Sequence, residues 1–149
     1  MIETMCRPAT RADIGVLNDL EGRARRSLVD QRGGQRWLRR HRPHHWDTML
    51  DRVVVASIDG VVLGYLVIEL DDLVASIIDL YVLPDARDVG LGESLVDHAL
   101  RWARELDCRS VEAWALPGDR ETKNLYETAG LIACEITVSA SLTDDDTEA

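Results

Sequence analysis

Residues 80–93 read LYVLPDARDVGLGE, and this stretch decides the fold. It begins as an apolar, extended run that stops at Pro84, and it passes through Gly90 and Gly92 into a segment with helical periodicity. The first turn of a helix has free backbone N–H groups and the positive end of the helix dipole, so it attracts anions. Glycine lets the backbone approach such an anion closely. The stretch therefore predicts a strand, a turn that binds phosphate, and a helix.

Two common phosphate motifs do not fit these letters. A Walker loop ends in Gly-Lys-Ser/Thr, which is absent here, and a dinucleotide fingerprint needs a third glycine where Leu95 stands. The phosphate-bearing ligand is therefore expected to be of another kind.

The segment before this stretch predicts a short strand, a helix and an antiparallel meander. Thr4 to Arg7 precede Pro8, and a helix is expected to start near Thr10, where Thr10 and Asp13 have the spacing of a capping box. Two apolar runs flank Asp59-Gly60, a pair typical of a two-residue hairpin turn. Residues 75–83, ASIIDLYVL, predict the third strand of the meander.

The segment after it predicts a second strand–helix unit. Apolar residues from Leu91 to Leu106 follow one helical face, residues 110–116 suit a strand, and a further helix is expected between an Asp119 cap and Gly130. This order favours a parallel pair of strands. Residues 132–139 alternate between apolar and other side chains, which predicts a last, half-buried strand.

The loop Arg87-x-x-Gly90-x-Gly92, the preceding residues 80–84 and the later Asn124-Leu125-Tyr126-Glu127-x-x-Gly130 resemble the GNAT superfamily of N-acetyltransferases. The order of elements along nearly the whole chain is similar as well. The resemblance implies an α/β (α+β) GNAT fold, in which a mixed central sheet of about six strands runs from an antiparallel meander into a parallel β-α-β pair, with helices on both faces. It implies one domain over residues 1–142, and residues 143–149 are expected to form a disordered acidic tail.

The resemblance also implies acetyl-CoA as co-substrate, without a metal. The residues whose main-chain amides would hold the coenzyme A pyrophosphate are Arg87, Asp88, Val89, Gly90, Leu91, Gly92 and Glu93. Leu80, Tyr81 and Val82 would lie beside the pantetheine arm and pair with it like an added strand. Asp119 stands where such proteins usually carry an Asn that touches the cofactor arm, although its role as a helix cap is sufficient to explain it.

Tyr126 would be the general acid that hands a proton to the departing thiolate after an amine attacks the thioester. From the residues alone it could also be a core aromatic. Some relatives carry a carboxylate base in the middle of the sheet, but Trp114 occupies the fifth-strand position and cannot take a proton. Asp79 is the remaining candidate for the base, with Glu69 and Glu112 behind it. Asp79 could equally be a structural acid, and a water chain could replace a direct base.

Charge is distributed unevenly along the chain. The net charge is −10, yet residues 23–42 contain eight arginines and one acid, Asp30. This split disfavours nucleic acid as a general partner and leaves one local cationic patch. The spacing of His41, His44 and His45 suggests a metal site, but the surrounding arginines oppose a bound cation. No metal is expected.

Composition places the chain among compact cytoplasmic proteins. It has 149 residues, 46 % of them hydrophobic, and no apolar run long enough to span a membrane or form a signal peptide. Its three cysteines are widely spaced and suggest neither a disulfide framework nor a zinc site.

The function that the resemblance implies is acetyl transfer to a primary amine of a small molecule or peptide. Two alternatives stay open: a noncatalytic module that binds acyl-CoA, and an acetyltransferase acting on a nucleic-acid-linked amine, which rests on the arginine cluster. Residues 28–50 are expected to lie over the acceptor cleft and select the amine. Because only about one strand fits after Leu131, a second subunit could complete the cleft, which makes a homodimer possible.

Overall fold

The computed structural model describes residues 2–143. One mixed sheet forms its centre, with strands in the order β1-β2-β3-β4-β5. The strands are β1 Thr4–Pro8, β2 Val53–Ile58, β3 Val61–Asp71, β4 Val74–Val82 and β5 Ser110–Ala113. Neighbours from β1 to β4 are antiparallel, whereas β4 and β5 are parallel. The meander and the parallel pair predicted from the sequence are thus confirmed.

The described residues form four α-helices. They are α1 Ile14–Leu28, α2 Gly34–Arg40, α3 Leu91–Glu105 and α4 Arg120–Thr128. Leu91, Leu95 and Ala99 of α3 pack on one face of the sheet, and Leu17 and Leu20 of α1 pack on the other. Each face therefore has its own buried cluster of apolar side chains. Among residues 2–143, no helix has the length and apolar character that a membrane crossing requires.

Local sequence signals position several of these elements. Asp59 and Gly60 have φ values of 49° and 83°, as the predicted hairpin turn between β2 and β3 requires. The capping box of Thr10 and Asp13 is present, and it opens a 3₁₀ turn that continues directly into α1. At the end of α4, Gly130 adopts a φ of 99°, the left-handed conformation that follows many helices.

The last predicted strand is wrong for this structure. Residues 132–139 belong to no strand, and Ile132, Ile136 and Val138 are 82 %, 88 % and 89 % exposed. Alternation shows only that a segment is suited to a half-buried strand, since a strand also needs a neighbour to bond with. The described sheet consequently has five strands rather than about six. The acidic tail expected over 143–149 lies, apart from Thr143, outside the described residues.

A β-bulge interrupts the pairing of β3 with β4. Ile77 faces Ile68 and Asp79 faces Val67, so Ile78 is an extra residue on β4. Ile77 belongs to the cluster under α3, while Ile78 belongs to the cluster under α1. In a regular strand, Asp79 would follow Ile78 onto the opposite face, the one under α3. The bulge shifts the alternation by one residue and places Asp79 on the α1 face instead.

Candidate active site

β4 and β5 diverge and open a cleft at the centre of the molecule. Their pairing stops at Ile77 and Ala113, and beyond that point the outer edge of β4 has no strand partner in the described chain. Trp114 Nε1 donates a hydrogen bond of 2.9 Å to the carbonyl oxygen of Ile78, which joins the two strands at the point where their pairing ends. A cavity of about 760 Å³ occupies the cleft. Leu80, Tyr81 and Val82, predicted to lie beside a pantetheine arm, line this cavity.

The glycine loop leads into the cleft from the end of β4. Residues 84–89 form a 3₁₀ turn, and Gly90 takes a φ of 82° as the residue before α3. Gly92 lies where a Cβ would come within 3.1 Å of Leu125 Cδ2, so the absence of a side chain also lets α3 and α4 approach. Of the seven loop residues predicted to hold pyrophosphate, Arg87, Gly92 and Glu93 line the cavity.

The other four predicted loop residues are Asp88, Val89, Gly90 and Leu91, and none of them lines the cavity. Leu91 is fully buried in the cluster under α3, and Val89 is 44 % exposed. The role predicted for these four residues concerns their main-chain amides and stays a prediction.

Arg87 bridges the end of β4 and the start of α4. Its Nε donates a hydrogen bond of 2.8 Å to the carbonyl oxygen of Val82, and its Nη1 lies 3.4 Å from Glu121 Oε2. The guanidinium also lies 5.7 Å from the ring centroid of Tyr81. These contacts hold one positive charge at the wall of the cleft.

For Asp119 the sequence left two roles open, a helix cap and a contact with the cofactor arm. Its side chain accepts a hydrogen bond of 3.0 Å from the backbone N–H of Thr122, which makes it the cap of α4. It also lines the cavity. The cap is confirmed, and a contact with a cofactor stays a prediction.

Tyr126 lies on α4, is 7 % exposed and lines the cavity. Its hydroxyl makes no hydrogen bond with any residue between 2 and 143. Burial raises the pKa of this hydroxyl well above its ordinary value, and the charges of Asp79 and Asp119 raise it further. Tyr126 is thus a protonated donor that borders the cleft and has no acceptor among the described residues.

Asp79 lies deep in the same cavity and is held by two donors. Its Oδ2 accepts hydrogen bonds from Tyr65 Oη at 3.0 Å and from His44 Nε2 at 2.9 Å. Glu69 and Glu112, the other carboxylates considered for a base, are exposed and do not line the cavity. Asp79 is therefore the carboxylate of this set that reaches the cleft.

Sequence reasoning missed His44 as part of this site. It comes from the loop after α2, and its backbone N–H donates a hydrogen bond of 2.9 Å to Glu21 Oε2 on α1. His41 and His45 are exposed, so the three histidines do not gather around one point. The available signal in the sequence was His44 itself. It lies among histidines that were considered as a metal site and set aside because the neighbouring arginines oppose a bound cation.

One atom each from Glu21, His44 and Asp79 lies within 4.8 Å of the other two, a spacing that a metal ion could use. Each of these side chains already has a hydrogen-bond partner in the cluster. Hydrogen bonds between its members therefore hold this cluster together in the absence of a metal ion.

The segment after α1 covers the cleft only in part. Leu28 at the end of α1 and the following Gln31 and Arg32 line the cavity. Trp37 of α2 stacks on Trp114, the residue after β5, with ring centroids 4.9 Å apart. His41 also stacks on Trp37, with ring centroids 4.3 Å apart. This stack fixes the wall that Trp114 forms.

Comparisons with known proteins agree with this geometry. Residues 19–131 match the model of the acetyltransferase (GNAT) family. An uncharacterized N-acetyltransferase of Archaeoglobus fulgidus is 30 % identical over 88 residues, and the match spans 54 % of this chain and 60 % of that protein.

The fold is also shared with several solved structures. The aminoglycoside N-acetyltransferase AAC(6')-Iy, solved in complex with CoA, has a TM-score of 0.69 and 16 % identity, with 95 % of each chain covered. Ard1 from Thermoplasma volcanium has a TM-score of 0.67 and 23 % identity over 89 % of this chain and 84 % of its own. YncA from Salmonella typhimurium, described as a putative acetyltransferase with its cofactor acetyl-CoA, has a TM-score of 0.65 and 20 % identity, with 85 % and 78 % covered. Since its family model matches most of the chain and its fold is that of these proteins, this chain belongs to the acetyltransferase (GNAT) family.

Proposed function

We propose that the protein is an N-acetyltransferase that transfers the acetyl group of acetyl-CoA to a primary amine of a small molecule or peptide. The observation that carries this proposal is the hydroxyl of Tyr126, which has no protein acceptor among the described residues and lies in one cavity with the start of α3 and the unpaired edge of β4. Family membership and the CoA-bound relatives support it.

The residues of the cleft fit the parts of acetyl-CoA. The first turn of α3, opened by Gly90 with its φ of 82°, offers N–H groups to the pyrophosphate, and Arg87 adds a positive charge nearby. The free edge of β4 over residues 80–82 offers main-chain groups to the pantetheine arm. The absence of a Cβ at Gly92 lets α4 pack closely against the start of α3 beside this turn.

The catalytic roles follow from what each side chain can do with a proton. Asp79 takes a proton from the acceptor nitrogen as that nitrogen forms a bond to the thioester carbonyl carbon. When the carbon–sulfur bond breaks, Tyr126 gives its proton to the thiolate. A tyrosine with a raised pKa is suited to this step because it stays protonated until a strong base forms beside it.

Thiol release with a panel of amines tests the proposal. The panel contains an aminoglycoside, a polyamine, an amino acid and a peptide with a free N-terminus, because solved relatives include an aminoglycoside acetyltransferase and an N-acetylglutamate synthase complexed with CoA and N-acetylglutamate. Turnover with one class supports an enzyme. Tight binding of acetyl-CoA without turnover of any amine would instead support the noncatalytic acyl-CoA-binding module.

We propose in addition that the protein forms a homodimer through residues 132–139. This segment has strand alternation, yet its apolar side chains are more than four-fifths exposed in the single chain. A second copy supplies an identical segment, so two of them can pair around a two-fold axis and bury the same side chains symmetrically. We expect the enzyme in the cytoplasm, where its three free cysteines stay reduced.

A further inference from the structure

The loop after α2 delivers one histidine side chain to the proposed base. His44 is 35 positions from Asp79 in sequence, and its Nε2 lies 2.9 Å from Asp79 Oδ2. The hydroxyl of Tyr65 donates to the same oxygen at 3.0 Å. Both hydrogen bonds therefore fall on Oδ2, and the carboxylate cannot rotate without breaking them.

The second oxygen of Asp79 is in a different position. Asp79 Oδ1 makes no hydrogen bond within the described chain. Among the described side chains, the only polar atom that is both buried and without a partner is Trp46 Nε1, so Asp79 Oδ1 is accessible to solvent. Since Asp79 lines the cavity, Oδ1 is the oxygen that an acceptor amine can reach. One oxygen is fixed and the other is presented to the cleft.

His44 itself is held in place by two elements. Its backbone N–H bonds to Glu21 Oε2, and its Nε2 lies 3.7 Å from that same oxygen. Its ring packs at 4.8 Å against the ring of Trp46, which is buried. The side chain is 16 % exposed, so its orientation is fixed by packing as well as by hydrogen bonds.

The charged groups around His44 favour its protonated form. Burial opposes the charge, but the hydrogen bond and charge of Asp79, together with the charge of Glu21, outweigh burial and the nearby Arg25 and raise the pKa of His44. Tyr65 faces the pair as a neutral donor, because burial, first of all, raises the pKa of its hydroxyl far above the ordinary value.

We propose that His44 is a positioning residue for Asp79, and that the two side chains take up and release one proton as a unit during acetyl transfer. The bond from nitrogen to the carbonyl carbon forms as Oδ1 receives the N–H proton, and the carbon–sulfur bond breaks as Tyr126 protonates the thiolate. The proton held by the His44–Asp79 pair then passes to water, and the phenolate of Tyr126 takes a proton from water, which restores both groups. This inference rests on the proposed function, which supplies the amine and the thioester.

The pairing is tested without any acceptor by NMR titration of the histidine side chains. The wild type is compared with Asp79→Asn, and the His44 signal is assigned with His44→Gln. We expect His44 to titrate at higher pH in the wild type than in Asp79→Asn, because the variant removes the negative charge at 2.9 Å. The same titration midpoint in both proteins overturns the proposed pair even if the enzyme is active.

The catalytic part is tested by the pH dependence of kcat with an amine that is turned over. His44→Gln should lower kcat by about 10- to 100-fold and move the acidic limb to lower pH, because a titrating partner of Asp79 is gone. Tyr65→Phe removes the other hydrogen bond to Oδ2 but should leave the acidic limb of the kcat profile at the same pH. His45→Gln changes an exposed neighbouring histidine and should alter neither kcat nor the position of the acidic limb.

A His44→Gln profile that matches the wild type in rate and shape overturns the role of His44 while leaving the acetyltransferase proposal intact. Absence of turnover with every amine overturns the proposed function and the catalytic role together. Thermal unfolding of each variant shows whether a lost rate reflects lost structure.

Discussion

Tyr126 and Asp79 reach one cavity from opposite faces of the sheet. Tyr126 packs in the cluster under α3, whereas Asp79 bonds to Tyr65, a member of the cluster under α1. They can face the same space because β4 and β5 diverge beyond Ile77 and Ala113. An acid and a base on opposite sides of the cleft can act on different atoms of the reacting pair, the base on the amine nitrogen and the acid on the thioester sulfur, without exchanging protons with each other.

Tyr126 and Tyr65 should respond differently to loss of the hydroxyl. Tyr126→Phe removes a group with no protein acceptor among residues 2–143, so the free energy of unfolding should change by no more than about 0.5 kcal/mol. Acetyl transfer should nevertheless fall by about 10²- to 10⁴-fold. Urea unfolding and thiol release measure the two effects. An unchanged turnover with a good acceptor would show that Tyr126 is not the acid.

Tyr65→Phe is the matched comparison. Its hydroxyl donates to the Asp79 carboxylate at 3.0 Å and Tyr65 is fully buried, so its loss should cost about 1.5–3 kcal/mol of stability. If Tyr126→Phe destabilises the protein as much as Tyr65→Phe does, the hydroxyl of Tyr126 has a structural partner and the argument for its catalytic role weakens.

Gly90 should be sensitive to substitution because of its backbone. Its φ of 82° strains any residue with a Cβ, so Gly90→Ala should destabilise the protein by about 1–2 kcal/mol and weaken coenzyme A binding by disturbing the first turn of α3. Thermal unfolding and calorimetry with coenzyme A check both effects. Gly15→Ala on α1, where an added Cβ meets nothing within 4 Å and which does not line the cavity, serves as the control. Equal affinity in wild type and Gly90→Ala would contradict the role of this turn.

Asp13 should make stability depend on pH in the acidic range. Arg7 donates two hydrogen bonds of 2.8 and 2.9 Å to its carboxylate, and with help from the Thr10 N–H they hold its pKa below the ordinary value despite burial. The stabilisation is therefore complete above the ordinary carboxyl pKa and is lost as the pH falls through the lower, folded value. Asp13→Asn should lower stability by about 1 kcal/mol at neutral pH, and this difference should shrink in acid.

Thermal unfolding from neutral pH to about pH 3 measures this trend. Asp19→Asn is the matched control, because Asp19 forms only an exposed pair with Arg23 at 3.3 Å on the same helix. A stability difference between wild type and Asp13→Asn that stays constant down to the lowest pH would refute the argument.

The proposed dimer should depend on one face of residues 132–139. Ile136→Asp places a charge on the apolar face of the segment and should shift sedimentation from dimer to monomer. Thr137→Asp adds the same charge to the other face and should leave the dimer intact. A wild-type protein that sediments as a monomer at every concentration tested would exclude this mode of association.

Signals within a few residues of each other predicted much of the fold. Asp59-Gly60 defined its hairpin, Thr10 and Asp13 their capping box, and Asp119 the start of α4, because each depends on backbone conformation and hydrogen bonds within one turn. The glycine loop predicted the entrance to the cleft and the family for the same reason.

The sequence by itself determined these local elements, their order and the candidates Tyr126 and Asp79. Only the tertiary structure decided that the extra residue Ile78 turns Asp79 toward α1, and that His44 meets it there at 2.9 Å. It also decided that residues 132–139 have no neighbouring strand in the described chain. The physical reason is that a bulge, a long-range hydrogen bond and strand pairing each depend on a partner distant in sequence, and local alternation or composition carries no information about where that partner lies.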